Sequence, residues 1–322
     1  MEKIKVLSLC SGIGGLDGGL EGVVDYEIVN YAENDKYASK GFSILYNISE
    51  DLNLGDITKI NADTLKDFDL LLGGFPCTDV STMGKRMGFE TFNGLKTRTG
   101  IIDYFIDIIK VKKPKYIVLE NVKGIYNKKH KDGMDKRVFD IESLGYNSHI
   151  KLLNAKHYDS GQHRERYFFV FIRNDIIANF TFPNSDKVTK YFEDILEDSV
   201  NEKYYLSEKA LKRLADKPIA ELLTENNNNI NIYIQDKYRK KVYDTKGVSP
   251  TVIESHGDCI RIIDRKVGRI RVITPKEALR LQGFTDEEIY KLSFMSDTQL
   301  YKRAGNAVCK NVSREIFKNL FN

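Results

Sequence analysis

The chain has 322 residues, 41% hydrophobic and 30% charged, with 6 prolines and a net charge of +4 at neutral pH. That composition is globular, sufficient for one large core plus a smaller domain, and it excludes disordered and fibrous classes; the mild positive charge leans towards polyanions without deciding a partner. No apolar run reaches membrane length and the N-terminus leads straight into a strand pattern, while the 4 cysteines (Cys10, Cys77, Cys259, Cys309) form no Cys-x-x-Cys pair, so the expectation is a soluble, cytoplasmic protein without metal or disulfide framework.

In chain order, residues 3–9 are a β-rich run that breaks into Cys10-Ser11-Gly12-Ile13-Gly14-Gly15-Leu16, after which 16–24 can begin a helix. Strand, glycine turn and helix open a nucleotide-binding sheet. The glycines read Gly-x-Gly-Gly, an imperfect dinucleotide fingerprint, and a turn that lets a ligand lie on the backbone without a pyrophosphate suits S-adenosylmethionine better than NAD. Plain turn glycines are the competing reading. The second strand, 26–32, ends at Glu33-Asn34-Asp35, roughly 20 positions after the turn, where an acid is placed to hold ribose hydroxyls. Glu33 is the candidate, with Asn34 beside it. Asp56 and Ile57 stand in the loop before the next apolar run, 68–72.

That run delivers Gly73-Gly74-Phe75-Pro76-Cys77-Thr78-Asp79-Val80-Ser81 to the carboxyl end of a strand, where open α/β sheets bind their ligands. Pro76 stiffens the backbone before the thiol, and Gly74 allows close approach. A buried, inert Cys77 is the competing reading. Residues 83–100 follow, rich in Gly, Thr, Lys and Arg, and read as a lid whose Lys85, Arg86 and Arg98 close over phosphates, with an exposed basic loop that meets no partner as the competing reading. A helix is predicted over 101–110. The strand 116–119 carries Glu120-Asn121-Val122 into the same crevice, a helix ends at Gly145, and a further strand covers 146–154. Gln162-His163-Arg164-Glu165-Arg166 then precedes the apolar strand 167–172, with Arg164 and Arg166 on one side of an extended chain.

From 174 to about 268 the composition turns polar, with the run Asn226-Asn227-Asn228-Asn229 as a surface loop. Arg239, Lys241, Lys246 and Thr251 sit among tyrosines and small turn residues, which fits phosphate contact and base reading; a solvated edge strand is equally consistent. Thr274, Pro275, Glu277 and Gly283 spell a capped helix, and Asn306 lies beside a glycine ahead of a C-terminal amphipathic helix.

Taken in order, the Gly-Gly-Phe-Pro-Cys stretch, Glu120-Asn121-Val122, Gln162 to Arg166, 274–284 and 301–308 resemble the DNA cytosine-5 methyltransferase family. The resemblance covers roughly 1–172 and 268–322. It implies an α/β fold, a Rossmann-like S-adenosylmethionine-dependent methyltransferase sheet over 1–173 and 268–322, with a small target-recognition domain over 174–267. It implies Cys77 as nucleophile on cytosine C6, Glu120 on the N3 edge, Arg164 on the ring carbonyl and Arg166 as support. Ser11, Gly12, Ile13, Gly14, Gly15, Leu16, Glu33, Asn34, Asp56, Ile57, Gly74, Pro76, Asn306 and Ala307 would hold S-adenosylmethionine, leaving S-adenosylhomocysteine as product, with no metal. Ser81, Lys85, Arg86, Arg98, Arg239, Lys241, Lys246 and Thr251 would face double-stranded DNA, the C-terminal helix would pack beside the first strand, and a cognate restriction endonuclease in a prokaryotic or phage setting is an expected partner. The family pattern has Asp at Ser8, an aromatic residue at Cys10 and Gln at Thr78, so these three depart from it. A tRNA cytosine-5 methyltransferase and a non-catalytic DNA-binding regulator of the same fold are the alternatives; the first lacks its Cys-Phe-Thr segment here, and the second is expected to lose Cys77, Glu120 or Arg164.

Overall fold

The computed structural model describes residues 2–76, 99–214, 232–235, 241–254 and 260–321. Its main sheet has 6 strands in the order β2-β1-β3-β4-β6-β5, with β1 Ile4–Leu9, β2 Tyr26–Ala32, β3 Leu70–Gly74, β4 Tyr116–Val122, β5 Tyr146–Asn154 and β6 Glu165–Arg173. β2, β1, β3 and β4 pair in parallel, and β6 runs antiparallel to β4. Strands buried on both faces read as continuous apolar runs, and Leu70, Leu71 and Leu72, like Ile117, Val118 and Leu119, are fully buried. This is the mixed α/β fold expected from the sequence.

Helices begin and end where local chemistry dictates. α1 (Lys36–Tyr46) is capped by the Asp35 carboxylate, which accepts from the amides of Tyr37 and Ala38, and it stops at Asn47 in the left-handed region. α2 (Ile102–Lys112) buries Ile102, Phe105, Ile106 and Ile109 and ends before Pro114, whose ring disfavours further helix. α3 (Lys131–Glu142) closes this layer. Gly73 exists for α2: a Cβ there would stand 2.2 Å from the Phe105 ring.

One expected element is shorter than predicted. Residues 16–24 yield only a 3-10 turn, Asp17–Leu20, because Gly18 and Gly19 contribute no helical bias. Gly19 has another use, since a Cβ on it would lie 2.6 Å from the backbone of Ser313. The C-terminal helix α8 (Lys310–Phe321) thus approaches the glycine turn, and Ser313 donates to the Gly15 carbonyl at 3.2 Å.

The chain separates into two compact units, one of Met1–Leu153, Glu165–Asn184 and Val312–Asn322, the other of Asn154–Arg164 and Ser185–Asn311. The second contains α4 (Glu208–Leu214), the four-stranded sheet of β7 Ile232–Gln235, β8 Lys241–Tyr243, β9 Arg261–Asp264 and β10 Arg269–Val272, and the helices α5 (Pro275–Arg280), α6 (Asp286–Lys291) and α7 (Asp297–Asn306). Within it Arg271 on β10 is fully buried between Asp264 of β9 and Glu277 of α5 and joins those elements. Among the described residues no helix is long and apolar enough to cross a membrane.

Candidate active site

In the first unit, the turn after β1 is built to expose backbone. Gly12 and Gly14 have φ of 57° and 79°, a region where L side chains are strained, and the Cβ position of Gly12 faces open space. Gly14 is packed instead, against the Tyr46 ring. Across from the turn, Glu33 at the end of β2 accepts the Gly12 amide at 2.9 Å on one oxygen and the Asp35 amide at 2.8 Å on the other. Each oxygen keeps a further lone pair, which suits hydroxyl donors. Asn53 orients Glu33 by accepting its amide and donating to its carbonyl, a support that the sequence does not announce.

Asp56 spends one oxygen on the amide and hydroxyl of Thr58, and these bonds hold its carboxyl below the usual range. Ile57 beside it is buried. Cys10, at φ 51°, is partly buried; desolvation and the nearby carboxylates of Glu33 and Asp56 push its thiol up. Cys10 thus belongs to the same cluster as the two acids.

Asp17 was not anticipated. It is 1% exposed, its Oδ1 has no hydrogen-bond partner, and burial pushes its carboxyl up to about 7, partly offset by the Ser8 hydroxyl. A buried acid therefore stands against Ser8. The signal available in sequence was an acid inside a glycine run, which periodicity overlooks.

Gly74 pairs with Glu120 in the parallel register of β3 and β4. The Asn121 amide donates to the Phe75 carbonyl at 3.0 Å, which ties the strand end leading to Pro76 to the strand end carrying Glu120. Glu120 is 8% exposed and its Oε1 accepts Arg166 Nε at 2.9 Å. Arg166 NH1 also donates to the Glu165 carbonyl, so its fork is fixed, and Glu165 pairs with Lys123 at 2.9 Å. A buried carboxylate held by a guanidinium can grip a polar ring edge and pass a proton.

The two arginines of the motif part company. Arg164 belongs to the second unit, where its guanidinium donates to the carbonyls of Val252 at 2.9 Å, Gly305 at 3.0 Å and Ala307 at 2.9 Å. In that unit Thr251 donates its hydroxyl to the His163 carbonyl at 2.6 Å, Lys246 and Asn306 are exposed, Ala307 is buried, and Lys241 sits on β8. Cys77, Ser81, Lys85, Arg86, Arg98 and Arg239 lie outside the described residues, as does most of the loop expected to act as a lid.

The first unit fits S-adenosylmethionine in its donor set: an open backbone at Gly12, a ribose-type acid at Glu33 and a second acid at Asp56. Among the described residues no cluster of His, Cys, Asp and Glu could hold a metal.

A C-5 cytosine-specific DNA methylase family model matches residues 4–322. The orphan methyltransferase M.SPRI of Bacillus phage SPR is 34% identical over 297 residues, covering 81% of this chain and 66% of its own length, just under two thirds. The type II methyltransferase M.Bsp6I of Bacillus sp. (strain RFL6) is 33% identical over 331 residues, covering 99% of this chain and 98% of that protein. A solved Entamoeba histolytica methyltransferase, EhMeth, shares the fold with TM-score 0.75 at 16% identity, over 100% of this chain and 98% of that one.

Proposed function

The chain belongs to the C-5 cytosine-specific DNA methylase family, and from that membership we propose that it methylates C5 of cytosine in double-stranded DNA at a specific short sequence, using S-adenosylmethionine. The observation that carries the reading is the Glu120 carboxylate, held 2.9 Å from Arg166 at the strand end beside Gly74.

Ser11 to Leu16, Glu33, Asn34, Asp56 and Ile57 hold the cofactor, with Gly74, Pro76, Asn306 and Ala307 against its amino-acid portion. When bound it supplies an activated methyl group on a sulfonium, which C5 accepts once the ring is electron-rich. Cytosine C5 is otherwise too weak a nucleophile. The Cys77 thiolate adds to C6 and makes the ring enamine-like. Glu120 grips the N3 and amino edge and supplies the proton that neutralises the ring, while Arg166 keeps the Glu120 carboxyl aimed. Loss of the C5 proton and of the Cys77 sulfur restores aromaticity. These atoms are inaccessible inside a duplex, so the base is flipped out, and Ser81, Lys85, Arg86 and Arg98 are the proposed DNA contacts beside it. Arg239, Lys241, Lys246 and Thr251 face the duplex from the recognition segment. A restriction endonuclease of the same specificity is a fitting partner in a bacterial or phage cell.

The test is transfer of labelled methyl to unmethylated DNA, to RNA and to no polymer, with wild type and Cys77→Ala in parallel, followed by bisulfite sequencing. Label confined to DNA cytosines in one motif and lost with Cys77 is the expected result. Label in RNA, or DNA label that survives Cys77→Ala, overturns the substrate or the nucleophile.

A further inference from the structure

The motif Gln162-His163-Arg164-Glu165-Arg166 is divided between the two compact units, with Gln162 to Arg164 in one and Glu165 and Arg166 in the other. Its first half is paired alongside residues 249–252. Ser249 donates its amide to the Gly161 carbonyl at 2.7 Å, His163 donates its amide to the Ser249 carbonyl at 2.8 Å, and Gln162 and Ser249 form a parallel bridge. The Gln162 side chain continues the pairing: Oε1 accepts the Val252 amide at 2.9 Å and Nε2 donates to the Leu281 carbonyl at 3.1 Å. Arg164 then takes the Val252 carbonyl with one arm of its fork and the Gly305 and Ala307 carbonyls with the other.

Those carbonyls belong to two different pieces of chain. Residues 249–254 are the segment whose Thr251 is proposed above to face DNA, and 305–307 are the end of α7 and its C-cap, where Asn306 and Ala307 are proposed to face the cofactor. The two pieces touch backbone to backbone, since a Cβ on Gly305 would lie 2.4 Å from the Glu254 amide nitrogen and 2.5 Å from the Ile253 carbonyl carbon. Lys302 of α7 adds an ion pair to Glu254 at 3.7 Å. A buried guanidinium has five donors in a planar fork, and a lysine in its place could satisfy these diverging carbonyls only in part.

We propose that Arg164 is a positioning residue, a clamp with Gln162 that locks the DNA-facing segment 249–254 to the cofactor-facing turn 305–307, so that occupancy of one binding site is felt at the other. The proposal rests on the function proposed above and replaces the expectation that Arg164 grips the cytosine carbonyl. Binding either ligand biases the same small assembly of backbone, which is the physical requirement for coupling between sites.

The experiment measures the dissociation constant of an oligonucleotide carrying the target site, with and without S-adenosylhomocysteine, for wild type, Arg164→Lys and Gly305→Ala. Amide exchange at Val252 is followed in the same proteins without ligand. The expected wild-type result is DNA binding tightened on the order of 10-fold by S-adenosylhomocysteine, with both variants bringing that ratio close to one and speeding exchange at Val252. Gly305→Ala opens the same junction without altering a charge, and it carries the test where Arg164→Lys does not fold. A wild-type ratio of one overturns the coupling. A ratio and an exchange rate retained in Arg164→Lys while kcat collapses overturn the clamp and return Arg164 to the substrate ring. Failure of wild type to bind both ligands contradicts the proposed function instead, and Val252 exchange still decides whether the clamp exists.

Discussion

Glu120 and Arg166 share one ion pair in unequal roles. Replacing Glu120 with Gln keeps the shape but removes the proton source proposed for the ring, so kcat is expected to fall on the order of 10²-fold or more with little change in the KM for DNA, measured by methyl transfer over a range of DNA concentrations. Arg166→Ala leaves a mostly buried carboxylate without its cation, and beyond lost activity it should cost about 3 kcal/mol of stability in a urea titration. Asp17 makes a pH-dependent contribution of the opposite kind. Its folded pKa, pushed up to about 7 by burial, lies above the unfolded value, so the folded state binds the proton more tightly. The stabilisation is present in full below the ordinary carboxylate pKa and is lost as pH rises through about 7. Thermal midpoints should therefore fall between pH 5 and about 8 in wild type, and Asp17→Asn should flatten that slope. An unchanged slope in the variant would remove Asp17 from the account.

At the scale of elements, α5 shows local sequence chemistry and tertiary packing sharing the same atoms. Thr274 accepts the Glu277 amide at 3.1 Å while Glu277 accepts the Thr274 amide at 2.8 Å, the reciprocal cap expected from Thr274, Pro275 and Glu277. Gly283, with φ 84°, follows the helix as predicted. The Thr274 hydroxyl also donates to Glu197 at 2.5 Å. Thr274→Ala should thus cost about 1 to 2 kcal/mol, towards the upper end of cap deletions, read from the urea midpoint at constant slope. The same Glu277 carboxylate meets Arg271 at 2.7 and 2.8 Å and accepts the Glu197 amide at 2.9 Å. Arg271→Leu strands Glu277 and Asp264 without their cation and is expected to cost about 3 to 5 kcal/mol. Adding Glu277→Leu should recover part of that loss only, because the capping bond and the Glu197 amide lose their acceptor as well.

For the whole molecule, what could be read in advance depended on where each interaction begins and ends. Strands 26–32 and 146–154 were expected with the bounds they have, and the buried central strands β3 and β4, paired in parallel, are the continuous apolar runs that the sequence shows. The helix expected after the glycine turn shrank to four residues because Gly18 and Gly19 bring no helical bias, and Gly19 serves packing against Ser313, a partner near the other end of the chain. Glu33, Asp56 and Glu120 were legible as acids at strand ends or in loops. Asp17 and Asn53 were not, since one hides in a glycine run and the other in an ordinary turn. By itself the sequence determined the α/β class, the strands, the capped helix and the family likeness, because apolar runs, glycine turns and capping residues act over a few positions. Only the tertiary structure decided that Arg166 meets Glu120 while Arg164 turns to backbone carbonyls at sequence separations of 88, 141 and 143. The reason is physical: every residue carries a backbone carbonyl, so an arginine that ends on carbonyls leaves no side-chain partner in the sequence to announce it.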